Sequence, residues 1–137
     1  MNVVEPLDLR FNDLLCGYRF AGGLARDSEI VQRAAARHPG GCVWLARQIA
    51  NRSLLFFTWE ETLWFPVFQF EKADMSQRRR VARIAAELAG WMDDWERVQW
   101  FVQPHCALGD RTPLELLDAH ADRLVDAART QRFLRTA

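Results

Sequence analysis

The sequence predicts a mainly α-helical fold, a compact domain of about six helices carrying one β-hairpin. Three observations predict it. Apolar residues recur at helical spacing along most of the 137 residues. Half of the residues are hydrophobic, enough for a chain of this length to bury a sizeable core. A single stretch, residues 54–65, changes to aromatic and β-favouring residues on either side of the polar pair Glu60–Glu61.

Leu7, Phe11, Leu14, Leu15 and Tyr18 predict a first helix over 7–20, closed by the Gly22–Gly23 break. Asp27 or Ser28 is expected to cap a second helix through about Arg37, with Ile30, Val31, Ala34 and Ala35 on one side and His38-Pro39-Gly40-Gly41 ending it. A third is expected from Cys42 to Asn51, burying Val43, Leu45, Ala46 and Ile49. The hairpin joins 54–59 to 62–65; Pro66 cannot donate to a central ladder, so its strand is expected at an edge or frayed there. Ser76 is expected to cap a fourth helix whose core face is Val81, Ile84, Ala85 and Leu88. Asp93 or Asp94 opens a fifth, with Trp95, Val98, Phe101 and Val102 as its stripe. Thr112 to Glu115 reads as a capping box with proline at the first helical position. The sixth helix therefore starts at Pro113, and Asp118 is expected to cap its continuation, in which Ala121, Leu124, Val125 and Ala128 face inward. The natural boundary, Glu71 to Ser76, divides an N-terminal region, residues 1–72, from a C-terminal module, residues 73–137.

Eighteen basic residues balance eighteen acidic ones, so any nucleic-acid contact has to come from a local patch. Cys16, Cys42 and Cys106 are odd in number and never spaced C-x-x-C, which disfavours a disulfide framework and a zinc site. Residues 1–10 lack an apolar core of signal-peptide length, and no eighteen apolar residues run together, so a cytoplasmic protein without membrane contact is expected. No phosphate loop, nucleophile elbow or H-E-x-x-H occurs, and His105–Cys106 lacks a third orienting group. A protein without catalysis, cofactor or metal is expected. Arg78, Arg79, Arg80 and Arg83 form the densest positive cluster, at a helix start where cations oppose the macrodipole, and a solvated face is the simplest account of it. Most of the six tryptophans are expected in the core, with at least one aromatic at a partner contact and Trp91 the candidate to protrude.

Helix, turn, helix and hairpin from Ser28 to Phe70 is the order of a small winged helix-turn-helix. On that reading Arg47, Gln48, Asn51 and Arg52 reach DNA from the third helix. Glu60 and Glu61 at the wing tip oppose it by phosphate repulsion.

The C-terminal third carries a longer pattern. A helix ending Trp100–Phe101, a loop with Pro104, then Leu108–Gly109, Thr112–Pro113 and Leu116–Leu117 follow one another in order, preceded by Phe65-Pro66-Val67-Phe68-Gln69-Phe70. Over residues 63–132 the chain resembles the toxin-binding domain of the antitoxin Xre/MbcA/ParS family. The resemblance implies an antitoxin of a type II toxin–antitoxin pair, a homodimer, whose partner is a RES-domain toxin that consumes NAD and is blocked sterically. It places the toxin contact at Gly109, Asp110 and Arg111 and on the last helix, where position and charge add Arg129, Arg132 and Arg135. The usual Xre-type helix-turn-helix is not recognisable in front of the module. The other reading from the sequence is a winged-helix regulator that binds operator DNA and keeps the C-terminal module for dimerisation.

Overall fold

The computed structural model describes residues 6–136 of the chain. Within them lie seven helices: α1 Leu7–Tyr18, α2 Asp27–Ala34, α3 Gly41–Ala50, α4 Arg79–Leu88, α5 Asp94–Trp100, α6 Pro113–Leu116 and α7 Ala121–Thr136. Three strands, β1 Leu24–Arg26, β2 Phe57–Trp59 and β3 Thr62–Pro66, form one antiparallel sheet in the order β1-β3-β2. Single 3-10 turns occupy Val67–Gln69 and Cys106–Leu108. The expected mainly helical architecture is present, with a three-stranded sheet where a lone hairpin was expected.

The extra strand, β1, follows the Gly22–Gly23 turn, whose φ angles of +91° and +75° favour glycine. It pairs Ala25 with Phe65 and Arg26 with Trp64, so β3 is central and lies neither at an edge nor frayed. Pro66 is tolerated because it is the last residue of β3, opposite Leu24, and the next amide, that of Val67, donates to the Gly23 carbonyl at 3.0 Å. The hairpin itself is shorter than expected, since β2 begins at Phe57, and Leu54 and Leu55 lie buried ahead of it.

Two apolar cores result. The larger joins Phe11, Leu14 and Tyr18 of α1 to Val81, Ile84, Ala85 and Leu88 of α4 and to Leu124, Val125 and Ala128 of α7, with Trp100, Phe101, Leu116 and Leu117 around them. It therefore draws on both sides of the Glu71–Ser76 segment. The smaller gathers Ala25, Ile30, Ala34, Leu45, Leu54, Phe65, Phe70 and Met75. Phe68 enters the first and Phe70 the second, while Gln69 between them is fully buried. Its side chain is satisfied by the Leu55 backbone and by Gln77, which in turn bonds the Ser53 carbonyl at 2.7 Å and accepts from the Ser53 hydroxyl at 2.8 Å.

Several expected caps move. Asp93 does cap α5, accepting from the Glu96 amide at 2.8 Å with the Glu96 carboxylate returning to Asp93 N–H. Thr112 accepts from the Glu115 amide at 3.3 Å, but the Glu115 carboxylate turns to Arg111, so the reciprocal half of the box is replaced by an ion pair of 2.6 Å. Ser76 does not cap α4; its hydroxyl and amide donate to Asp74 Oδ1, which holds that carboxyl below its ordinary range, and α4 starts at Arg79. Arg26 takes the N-cap position of α2, its N–H donating to Glu29. α7 starts at Ala121, three residues beyond Asp118, whose carboxylate pairs with Arg78 at 2.7 Å.

Of the side chains expected inside, Val43 is 59 % exposed, and Ala35 and Ala46 are exposed too. Trp100 alone among the six tryptophans is buried; the other five are half-buried. No described helix is long and apolar enough to cross a membrane.

Candidate functional site

Trp100 fastens the corner to the last helix. Its indole N–H donates to Gln131 Oε1 of α7 at 2.8 Å, and its carbonyl accepts from His105 Nε2 at 2.9 Å. The His105 amide donates to the Arg111 carbonyl at 3.2 Å, closing a loop in which Gly109 and Asp110 both adopt left-handed backbone, at φ +65° and +61°. Leu108 is buried beneath them, while Gly109, Asp110 and Arg111 are exposed. Three expected contact residues thus stand together at the corner, beside α7.

Of the four arginines of α7, three were expected at the contact: Arg129, Arg132 and Arg135. Arg129 pairs with Glu87 of α4 at 2.8 Å, and this carboxylate raises its pKa further. Arg135 pairs with Glu96 of α5 at 2.9 Å and stands 5.7 Å from the Trp91 ring centroid. Arg132 is exposed. Arg129 and Arg135 thus each hold a carboxylate of the chain itself while remaining exposed. The outer face of α7 consists of exposed Arg123, Asp126, Thr130, Phe133 and Leu134, the last two 71 % and 69 % exposed.

The arginine cluster of α4 grips the same region from the other side. Arg78 pairs with the Asp118 carboxylate, Arg80 donates to the Asp118 carbonyl, and Arg83 pairs with Asp122 at 2.7 Å. Arg79, Arg80 and Arg83 are exposed, the solvated face expected of the cluster, and on it Arg78, Arg80 and Arg83 bind Asp118 and Asp122 at the entry to α7.

The residues expected to read DNA do not share a helix face. Arg47 is exposed on α3 among Cys42, Val43, Ala46 and Ala50, whereas Gln48 is half-buried on another side. Asn51 and Arg52 lie beyond the end of α3; the Asn51 Oδ1 accepts from the Ser53 amide and hydroxyl at 3.4 and 3.2 Å, and the Arg52 carbonyl accepts from Arg97 at 2.7 Å. Only Arg47 and Arg52 present exposed charge. At the hairpin tip Glu60 and Glu61 are exposed and left-handed, with φ of +49° and +62°.

Sequence patterns did not indicate a groove of about 470 Å³ between the end of α1 and α6, lined by Gly17, Phe20, Ala21, Val102, Thr112, Leu114 and Glu115. Gly17 permits it: a Cβ there would stand 2.9 Å from the Val102 Cβ, closer than two carbons can approach. Phe20 is 90 % exposed, with the Arg19 guanidinium 4.7 Å from its ring centroid. A lone phenylalanine before a glycine pair carries no periodic signal, so nothing in the sequence marked it. Arg97 was missed as well; buried on α5, it donates to the Arg52 and Leu54 carbonyls and pairs with Asp94 at 3.4 Å.

Among the described residues no three His, Cys, Asp or Glu side chains are gathered as a metal site would need. Comparisons with protein-family models, curated proteins and solved structures give no match to this chain.

Proposed function

We propose that the chain is an antitoxin-like protein that binds and neutralises a toxin protein through the outer face of α7 and the Gly109–Asp110 turn beside it. The observation that carries this reading is the end of α7, where Phe133 and Leu134 stand largely exposed on a helix otherwise held by ion pairs to α4 and α5. A pre-positioned apolar pair with a polar surround of Arg123, Asp126 and Thr130 suits a protein contact. The resemblance of residues 63–132 to the Xre/MbcA/ParS toxin-binding domain supplies the partner class, a RES-domain toxin that consumes NAD. Trp100, Leu108, Leu116 and Leu117 of that pattern are buried, as a structural scaffold requires. Inhibition is steric, with no chemistry by this chain.

Co-expression with the toxin encoded beside this gene tests the reading. Growth arrest by the toxin is relieved by the wild-type chain and persists with Phe133→Glu/Leu134→Glu, whose side chains lie outside both cores. Full rescue by the double variant would move the contact elsewhere.

A DNA-binding reading draws on the connectivity alone: α1, β1, α2, α3, then the β2–β3 hairpin, with β1 paired to β3, is the order of a winged helix. Under it, Arg47→Ala/Arg52→Ala weakens binding to DNA upstream of the gene and flattens its salt dependence. Wild-type protein that ignores that DNA at low salt removes it.

A further inference from the structure

We infer that a cleft between the end of α3 and the link from α4 to α5 binds a small carboxylate with an apolar body. The cleft measures about 230 Å³; Ile49, Phe56, Ala89 and Met92 give it apolar walls, and Arg52, Asp94 and Arg97 supply its charge. Sites for drug-sized ligands measure about 300–1,000 Å³, so the occupant is smaller than those. Two guanidinium groups stand against one carboxylate. The surplus is a single positive charge, which one carboxylate neutralises and the nearly double charge of a phosphate monoester overshoots.

The two arginines play different parts. Arg97 is 5 % exposed, and its Nη1 donates to the Arg52 carbonyl at 2.7 Å, its Nη2 to the Leu54 carbonyl at 3.2 Å and to Asp94 Oδ1 at 3.4 Å. These bonds fix the guanidinium plane and leave the Nε–H without a partner among the described residues. Of the described side-chain nitrogens and oxygens, Trp64 Nε1 is the one both unbonded and sealed from solvent, so Arg97 Nε is not sealed, and the opening that Arg97 lines is this cleft. Arg52 is exposed and is held through its backbone carbonyl; its guanidinium makes no hydrogen bond or ion pair with the described residues. A fixed buried donor and an unpaired exposed cation are what a carboxylate needs, one for direction and one for charge. The apolar walls disfavour inorganic anions, which would lose hydration there without return. Ile49, Arg52 and Phe56 precede the Glu71–Ser76 segment and Ala89, Met92 and Arg97 follow it, so the ligand touches both parts of the chain.

Neither α7 nor the Gly109 turn lines the cleft, so the inference is independent of the toxin reading, and its test uses the full chain alone. Nitrogen–proton correlation spectra follow the Arg97 Nε–H signal during titration with benzoate, with neutral benzamide and with inorganic phosphate, each to about 20 mM. Benzoate shifts that signal saturably, with a Kd of about 1 mM, as a ligand of its size can reach. Benzamide and phosphate bind at least tenfold more weakly. Arg97 itself is left intact because it holds the Arg52 and Leu54 carbonyls. Arg52→Gln, whose side chain holds nothing in the fold, weakens benzoate at least tenfold with the backbone signals unchanged. No saturable shift with benzoate, equal binding of benzamide, phosphate binding as tight as benzoate, or an Arg52→Gln variant with wild-type affinity would each overturn the proposal.

Discussion

Gln69 and Leu55 are joined as two neighbouring strands would be, although only one of them contributes backbone. The Leu55 amide donates to Gln69 Oε1 at 2.8 Å, and Gln69 Nε2 donates to the Leu55 carbonyl at 2.7 Å and to the Pro66 carbonyl at 3.1 Å. A carboxamide carries the same donor and acceptor as a peptide group. Replacing Gln69 by leucine preserves volume but strands both Leu55 groups in the interior, and the expected loss is about 2–4 kcal/mol. Urea unfolding of Gln69→Leu measures it, and a loss below about 1 kcal/mol would show that these bonds are dispensable.

Tyr18 is the single tyrosine of the chain and is fully buried, its hydroxyl donating to the Val98 carbonyl at 2.6 Å. Burial raises its pKa well above the ordinary 10.0. Because the folded value is the raised one, the contribution to stability is whole below pH 10 and declines above it, as the unfolded chain ionises and the folded chain does not. Phenolate absorbance is therefore expected to appear only with unfolding, in one cooperative step. A simple titration of the folded protein near the ordinary value would contradict the burial.

The two-residue turn of the hairpin places Glu60 and Glu61 in left-handed backbone, the geometry that asparagine and glycine adopt most readily. Each glutamate there carries a conformational cost of about 1 kcal/mol. Glu60→Asn/Glu61→Gly is expected to stabilise the chain by about 1–2 kcal/mol. A shift of the thermal midpoint upward, with the fold unchanged, is the check.

Removing the chain after Asp118 takes Leu124, Val125, Ala127 and Ala128 from the larger core and leaves Arg83 without Asp122. Four buried side chains and three ion pairs, Arg83–Asp122, Arg129–Glu87 and Arg135–Glu96, exceed what a domain of this size can lose. The truncated chain is expected to lack a cooperative unfolding transition, so loss of toxin binding by it would not locate a surface. A cooperative transition retained in that truncation would mean that α7 is an appendage.

Much of the helical frame was legible because amphipathic helices write their burial locally. Val81, Ile84, Ala85 and Leu88 of α4 are all buried as their spacing required, and Asp93 and Thr112 start helices where they were expected to. β1 was not legible: three residues are too few to show alternation, and the pairing partner lies about forty residues away. The arginines could be counted but not assigned, since whether Arg78 and Arg129 face solvent, a partner or Asp118 and Glu87 depends on which helices become neighbours. Phe20 and its groove were invisible for the same reason, Gly17 meeting Val102 across most of the domain.

Phe68 and Phe70 point to opposite sides of one short segment, each into a different core, with Gln69 clamped between them. A molecule with two separately enclosed cores would be free to melt them one after the other. Here neither can lose its order without pulling the same three residues from the other, so heating unfolds both in a single transition whose calorimetric and van't Hoff enthalpies agree, and the Leu55 amide at their junction is among the last to exchange its proton with solvent.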